Sequence, residues 1–302
     1  MGKKKDSKNL HIVSSITAGN LAVFSVDSKQ EIRIKKAKGT LKQHETLVLG
    51  DYVEIEKASG EFVISKILPR KNQILRPKIA NIDKLIIMIA TEPAPDFKLV
   101  DLLLISCFQQ GIEPILCLNK MDVGEAMLRK ALSIEVKRKY QHVCDIVEAS
   151  AKTYVGHPSL RKLVEGEDGK TTVFVIAGQS AVGKSSTVNA LYGLNIKEGE
   201  LSGKIMRGKN TTTKSYFHIT PNGNLLADSP GFSLIDVAKM GISQKELKEY
   251  YPDFEFGCKF SNCNHVGEDG CGADMLVEKG QFDKERLENY REFFKNLPKL
   301  VY

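Results

Sequence analysis

The sequence contains no apolar run long enough to cross a membrane, because Lys, Asp or Glu interrupts every candidate stretch. It shows no internal repeat, which excludes a solenoid or propeller built from copies of one unit. Its opening, MGKKKDSKNL, is basic but no apolar segment follows. It therefore does not read as a secretory signal, and the expected location is the cytoplasm. Cysteine is sparse. Of six, Cys107, Cys117 and Cys144 are scattered among apolar residues and read as buried thiols. Cys258, Cys263 and Cys271 are clustered beside a histidine, which in a cytoplasmic chain points to metal rather than disulfides.

At 302 residues the chain is long for one domain, and 42% hydrophobic residues support buried cores. The net charge is +7, with Lys3, Lys4, Lys5 and Lys8 forming a basic arm and Arg33, Lys35, Lys36 and Lys38 following. Two readings stand: a solvated tail and charged strand face, or attraction to nucleic-acid phosphates.

Short strand-like runs fill the first 75 residues: ITAGNLAVFSV, EIRIKKA, DYVEIE and EFVISKIL, with turn signals at Gly19-Asn20, Gly39 and Gly50-Asp51. They predict a small β-barrel, of oligonucleotide-binding (OB) or SH3-like type. From residue 76 to 235 apolar strands alternate with helical segments, as in a parallel sheet wrapped by helices. Strand-like KLIIMIA, EPILCLN, DIVEAS, TVFVIAG and NLLAD alternate with helical FKLVDLLLISCFQQG, MLRKALSIEVKRKY and KSSTVNALYG. Residues 236–302 form a third, small helical unit. In it SQKELKEYY reads as a short helix capped by Ser243, and FDKERLENYREFFKNL as an amphipathic helix carrying Leu287, Tyr290, Phe294 and Leu297.

The segment Gly178-Gln179-Ser180-Ala181-Val182-Gly183-Lys184-Ser185 fits the phosphate-loop pattern G-x-x-x-x-G-K-[ST], between a strand and a helix that continues with Ser186. Its backbone N–H groups can cradle phosphates, Lys184 can reach the β- and γ-phosphates, and Ser185 can bind Mg2+. Downstream, Asp228-Ser229-Pro230-Gly231 ends a strand: Asp228 is placed to hold the Mg2+ shell and Gly231 N–H to meet the γ-phosphate. Between them lies Thr211-Thr212-Thr213, from which Thr213, with Thr212 next, is the expected Mg2+ ligand of a switch segment.

Asn119-Lys120-Met121-Asp122 follows another apolar strand and has the form N-K-x-D. An Asp122 carboxylate accepts from guanine N1–H and the 2-amino group, whereas adenine would leave it buried and unpaired. Asn119 can bridge to the phosphate loop, and the Lys120 stem can cover the base. Ser150-Ala151-Lys152 after the next strand reads as a second base-contacting segment. The order is inverted, since these motifs precede the phosphate loop, so the GTPase domain is circularly permuted. The switch after Asp228 then leads directly into the C-terminal unit, and nucleotide state is expected to reorient that unit. Phe232 stands where many GTPases carry a water-orienting glutamine, so slow intrinsic hydrolysis is expected.

Cys258-x4-Cys263-x-His265-x5-Cys271 supplies four ligands without an open position, the set of a structural Zn2+, with iron–sulfur as the weaker alternative.

Taken in order, N-K-M-D, S-A-K, GQSAVGKSS, TTT, DSPGF and the Cys/His spacing resemble the RsgA (YjeQ) family of circularly permuted GTPases, and LPRKNQILRP at 68–77 is similar to that family's junction between barrel and GTPase domain. The resemblance implies an OB-fold barrel contacting ribosomal RNA, a zinc domain touching the small ribosomal subunit, hydrolysis stimulated by that subunit, and a role in its late maturation. One departure is Asn210, where the family usually has a histidine, so no role of that histidine carries over. A monomer is expected. Two other readings remain: an RNA-binding module with a slow or vestigial nucleotide site, and a GTPase of transport or tRNA modification.

Overall fold

A computed structural model of the chain describes residues 10–17, 21–34, 46–75, 78–165, 170–196, 215–228 and 236–299. Alternating burial builds the first strands: β1 (Leu10–Ile16), β2 (Leu21–Ser25), β3 (Glu31–Ile34), β4 (Tyr52–Ala58) and β5 (Glu61–Ile67). In β4, Val53 and Ile55 point inward while Glu54 and Glu56 face solvent, the two-residue period of a half-buried strand. The antiparallel order is β3-β2-β1-β4-β5, around a core that includes Val13, Val23, Val53 and Ile64. The expected turns at Gly19-Asn20 and Gly39 lie outside the described residues.

A short hairpin, β6 (Gln73–Leu75) and β7 (Lys78–Ala80), follows the barrel. Three side chains clip this junction. Arg70 donates from Nε and Nη2 to fully buried Asp51 at 2.5 and 2.9 Å. Asn72 exchanges two 2.8 Å hydrogen bonds with the backbone of Ile82, and Asn81 Nδ2 donates to Gly50 O at 2.9 Å. Polar residues of the LPRKN stretch therefore act as structural fasteners between barrel and sheet.

The central elements are β8 (Lys84–Ile89), α1 (Phe97–Gln110), β9 (Glu113–Leu118), α2 (Ala126–Tyr140), β10 (Asp145–Glu148), α3 (His157–Val164), β11 (Val173–Gly178), α4 (Lys184–Tyr192), β12 (Ser215–Ile219) and β13 (Leu225–Asp228). Strands β10-β9-β8-β11-β13 are parallel, and β12 joins antiparallel. Strand β8 is apolar on both faces because both are covered. Leu85, Ile87 and Ile89 pack with Val100 and Leu103 of α1 and Val136 of α2. Ile86 and Met88 pack with Leu160 of α3 and Val188 of α4. Two residues of β12 also pair with the end of β1 (Ser15↔Tyr216, Ile16↔Ser215), so one eleven-stranded sheet runs through barrel and central unit. Sequence reading did not anticipate β12, α3 or this shared sheet.

The last unit contains two single-turn 3-10 helices (Val237–Lys239, Leu247–Tyr250), then α5 (Ala273–Glu278) and α6 (Lys284–Asn296). Two expectations shift here. SQKELKEYY forms only a 3-10 turn, and Ser243 donates from both N and Oγ to the Glu246 carboxylate instead of capping with its hydroxyl. On α6 the buried face is Leu287, Tyr290 and Phe293, continued by Leu297 just past its end, with Phe294 partly buried against the same core. Leu102 and Ile105 of α1 complete that core with Leu247, Tyr251 and Tyr290. Arg286, 2% exposed, crosses the same interface to Asp101 and Asp253 and donates to Lys139 O at 2.9 Å. No helix among the described residues is long and apolar enough to cross a membrane.

Candidate active site and metal centre

From β8 the chain winds outward through β9 to β10, then returns to place β11 on the other side of β8. The reversal lies between β8 and β11, where loops leave the carboxyl ends of adjacent strands in opposite directions and open a crevice. Every described motif of the central unit begins at that edge: Asn119 after β9, Ser150 after β10, the phosphate loop after β11, and Asp228 at the end of β13, level with Ile176 of β11.

The phosphate loop leaves β11 at Gly178 and enters α4 at Lys184. Two glycines are obligatory. A Cβ on Gly178, at φ +138°, would lie 2.2 Å from Met88 O, and one on Gly183, at φ +94°, would lie 2.4 Å from Asn119 Nδ2. Lys184 Nζ donates to the carbonyls of Gly178 and Gln179 at 3.0 and 2.8 Å, which keeps the ammonium inside the loop. Lys184 and Ser185 are buried in the first turn of α4, beside the helix N-terminus that favours anions.

Asn119 joins the two separated stretches. Its Nδ2 donates to Val182 O at 2.8 Å, and its Oδ1 is a buried acceptor without a protein donor. Lys120, at φ +60°, donates from Nζ to Glu92 O at 3.0 Å. Asp122 Oδ1 accepts from Ser150 Oγ at 2.6 Å. The same hydroxyl accepts from Thr153 N and Lys152 N at 3.0 and 3.2 Å, so Ser150 both folds its own turn and orients the carboxylate. Ala151 and Lys152 lie in that turn. The structure thus brings Asn119, Lys120, Asp122, Ser150 and residues 178–186 to one crevice. The switch residues Thr211, Thr212, Thr213, Gly231 and Phe232, with Asn210, lie outside the described residues. Sequence reading missed the loop after β8: Glu92 holds Lys120, while Ala94 and Asp96 hold Gln179. Its only signal was proline-rich EPAPD at a strand's carboxyl end.

In the C-terminal unit, the ligand atoms of Cys258, Cys263, His265 and Cys271 all lie within 4.8 Å of one another. His265 Nδ1 faces the sulfurs, 3.4 Å from Cys258 and 4.0 Å from Cys271. Burial holds the imidazole below its ordinary pKa, which favours the neutral, ligating form. Glu268 folds the loop by accepting from Asn264 N and Val266 N at 2.7 and 2.8 Å, and Arg291 Nε donates to His265 O at 2.9 Å. Three thiols and one imidazole converging at this spacing fit a tetrahedral Zn2+.

Fold and site together define a class, a P-loop GTPase whose N-K-M-D and S-A-K segments precede its phosphate loop. The RsgA GTPase family model matches residues 67–238. The chain belongs to the RsgA GTPase family and is a GTP-hydrolysing enzyme. Its relatives include the small ribosomal subunit biogenesis GTPase RsgA of Thermotoga neapolitana, 34% identical with 92% of this chain and 93% of that one covered. The protein of the same name from Bacillus velezensis is 33% identical, with 91% and 93% covered. The crystal structure of YjeQ from Thermotoga maritima is similar at TM-score 0.77 and 31% identity, covering 96% of this chain and 98% of that one. YloQ, a circularly permuted GTPase, shares the fold at TM-score 0.73 and 24% identity, covering 98% and 96%.

Proposed function

We propose that this chain binds the small ribosomal subunit and hydrolyses GTP to GDP and phosphate in its late assembly, with the subunit stimulating the reaction. The carrying observation is the bond from Asn119 Nδ2 to Val182 O, which unites base-reading and phosphate-holding segments in permuted order. The subunit comes from the relatives, which are named for its biogenesis. In this reading Asp122 recognises guanine, Ser150, Ala151 and Lys152 support the base, and Gly178 to Ser186 hold the phosphates. Lys184 grips the β- and γ-phosphates. Ser185 and Thr213 would hold Mg2+, with Asp228 in its shell and Gly231 at the γ-phosphate. Bound with GTP, Mg2+ neutralises charge on the phosphate oxygens. Cys258, Cys263, His265 and Cys271 would hold a structural Zn2+.

The strand order β3-β2-β1-β4-β5 supports an OB-type barrel, a fold that binds oligonucleotides, and ribosomal RNA is its proposed ligand. We take residues 1–75, 76–235 and 236–302 as barrel, GTPase and zinc units, and the cytoplasm as the location. The test is GTP turnover with purified small subunits, large subunits or neither. Stimulation by the small subunit alone is expected. Equal turnover in all three would leave a GTPase without the proposed partner.

A further inference from the structure

The phosphate loop is fastened on one side by Asn119 and on the other by its own second residue. Gln179 donates from Nε2 to Ala94 O at 3.1 Å and accepts at Oε1 from Asp96 N at 3.1 Å. Asp96 is also the N-cap of α1, its carboxylate accepting from Leu99 N. The C-terminal unit sits on that same 14-residue helix. Lys98 pairs with Glu292 at 2.5 Å, Asp101 accepts from Arg286 at 3.3 Å, and Gln109 donates to Met240 O at 2.7 Å. The phosphate loop therefore meets this helix at its N-cap segment, and the Cys/His unit meets it along its length.

We propose that Gln179 is a positioning residue that couples the phosphate loop to the Cys/His unit through α1. The inference rests on the GTPase reading above. The loop cradles phosphate with backbone N–H groups, so the carboxamide is not needed for the cradle itself and is committed to the loop before α1. Loading the loop changes the hold on α1, and docking of the Cys/His unit on a partner changes the loop, because coupling between two sites is reciprocal. This path is separate from the chain that leaves β13 after Asp228.

Hydrogen exchange on the full chain, with GDP and with a non-hydrolysable GTP analogue, tests the coupling. Three proteins are compared: wild type, Gln179→Met, which has similar length but neither hydrogen bond, and Gln179→Glu, which keeps only the acceptor. In wild type the two nucleotides should give different exchange at residues 97–101 and 286–293. Gln179→Met should lose the difference at 286–293, and Gln179→Glu should recover part of it. With small subunits present, kcat of Gln179→Met should fall about tenfold while KM for GTP moves less than about threefold. The proposal is overturned if Gln179→Met keeps the wild-type difference at 286–293, if its kcat is unchanged, or if wild type binds both nucleotides without any difference there. Failure of the GTPase reading is distinct, since wild type would then not bind GTP at all.

Discussion

Asp122 accepts from the Ser150 hydroxyl, so in the proposed reading guanine recognition depends on two residues from the loops after β9 and β10. Removing the carboxylate in Asp122→Ala deletes two charge-assisted hydrogen bonds and should weaken GTP binding about 100-fold or more without changing ATP binding. Fluorescent-nucleotide titration reads both numbers, and an unchanged preference for GTP would refute the assignment. Ser150→Ala leaves the carboxylate in place but unoriented, and a loss of about fivefold is expected in the same titration. A different balance governs Asp101. Burial pushes its pKa up to about 6 from 3.8, against the pull of Arg286. Below the lower value it is protonated whether folded or unfolded and contributes nothing. Between the two values only the unfolded chain ionises, so this group costs stability as pH rises, by about 3 kcal/mol in total. Above the upper value the penalty stays constant. In Asp101→Asn that falling component is gone. Urea midpoints across the window should therefore move in the variant's favour, relative to wild type, as pH increases.

The interface between α1 and α6 is more polar at its centre than the sequence pattern suggested. Arg286 lies against the rings of Tyr140, Tyr251 and Phe282 and is paired with two carboxylates. Arg286→Met should cost about 3–5 kcal/mol in urea unfolding, mainly because Asp101 and Asp253 are left uncompensated. A loss below 1 kcal/mol, on the order of a surface pair, would show that the network contributes little. The helix pattern pointed to apolar residues on α6, and Leu287 and Tyr290 are indeed buried. It gave no hint that the charged residue beside them, Arg286, would also be buried. Long basic side chains on a helix ordinarily reach solvent, and only the opposed carboxylates make burial tolerable here. The same interface constrains the expected reorientation of the C-terminal unit, since movement after Asp228 must work with or against a packed α1.

For the whole molecule, the Cys/His cluster lies in a unit whose α-helices, among the described residues, are short α5 and α6, and the proposed metal would organise it. Stripping the metal with a chelator should release zinc and lower the Tm, and Cys263→Ser should do the same. Zinc release measured by a colorimetric indicator and Tm by calorimetry check this, and an unchanged Tm after full metal removal would count against a structural role.

Residue type at short spacing was enough to pick out the phosphate-loop segment, the N-K-M-D and S-A-K segments and the Cys/His cluster whose ligand atoms converge. Each is a local turn or strand end whose chemistry depends on a few neighbouring side chains. The alternation of apolar strands with helices was legible for the same reason, because periodicity is a local property. The bridge from Asn119 to the phosphate loop was anticipated, but tertiary structure alone decided that it would end on Val182 O, that Ser150 would aim Asp122, that β12 would pair with both β13 and β1, and that Gln179 would tie the loop to α1. Those contacts join residues far apart in the chain, and their free energy comes from packing and desolvation of the assembled fold, to which no short window of sequence has access.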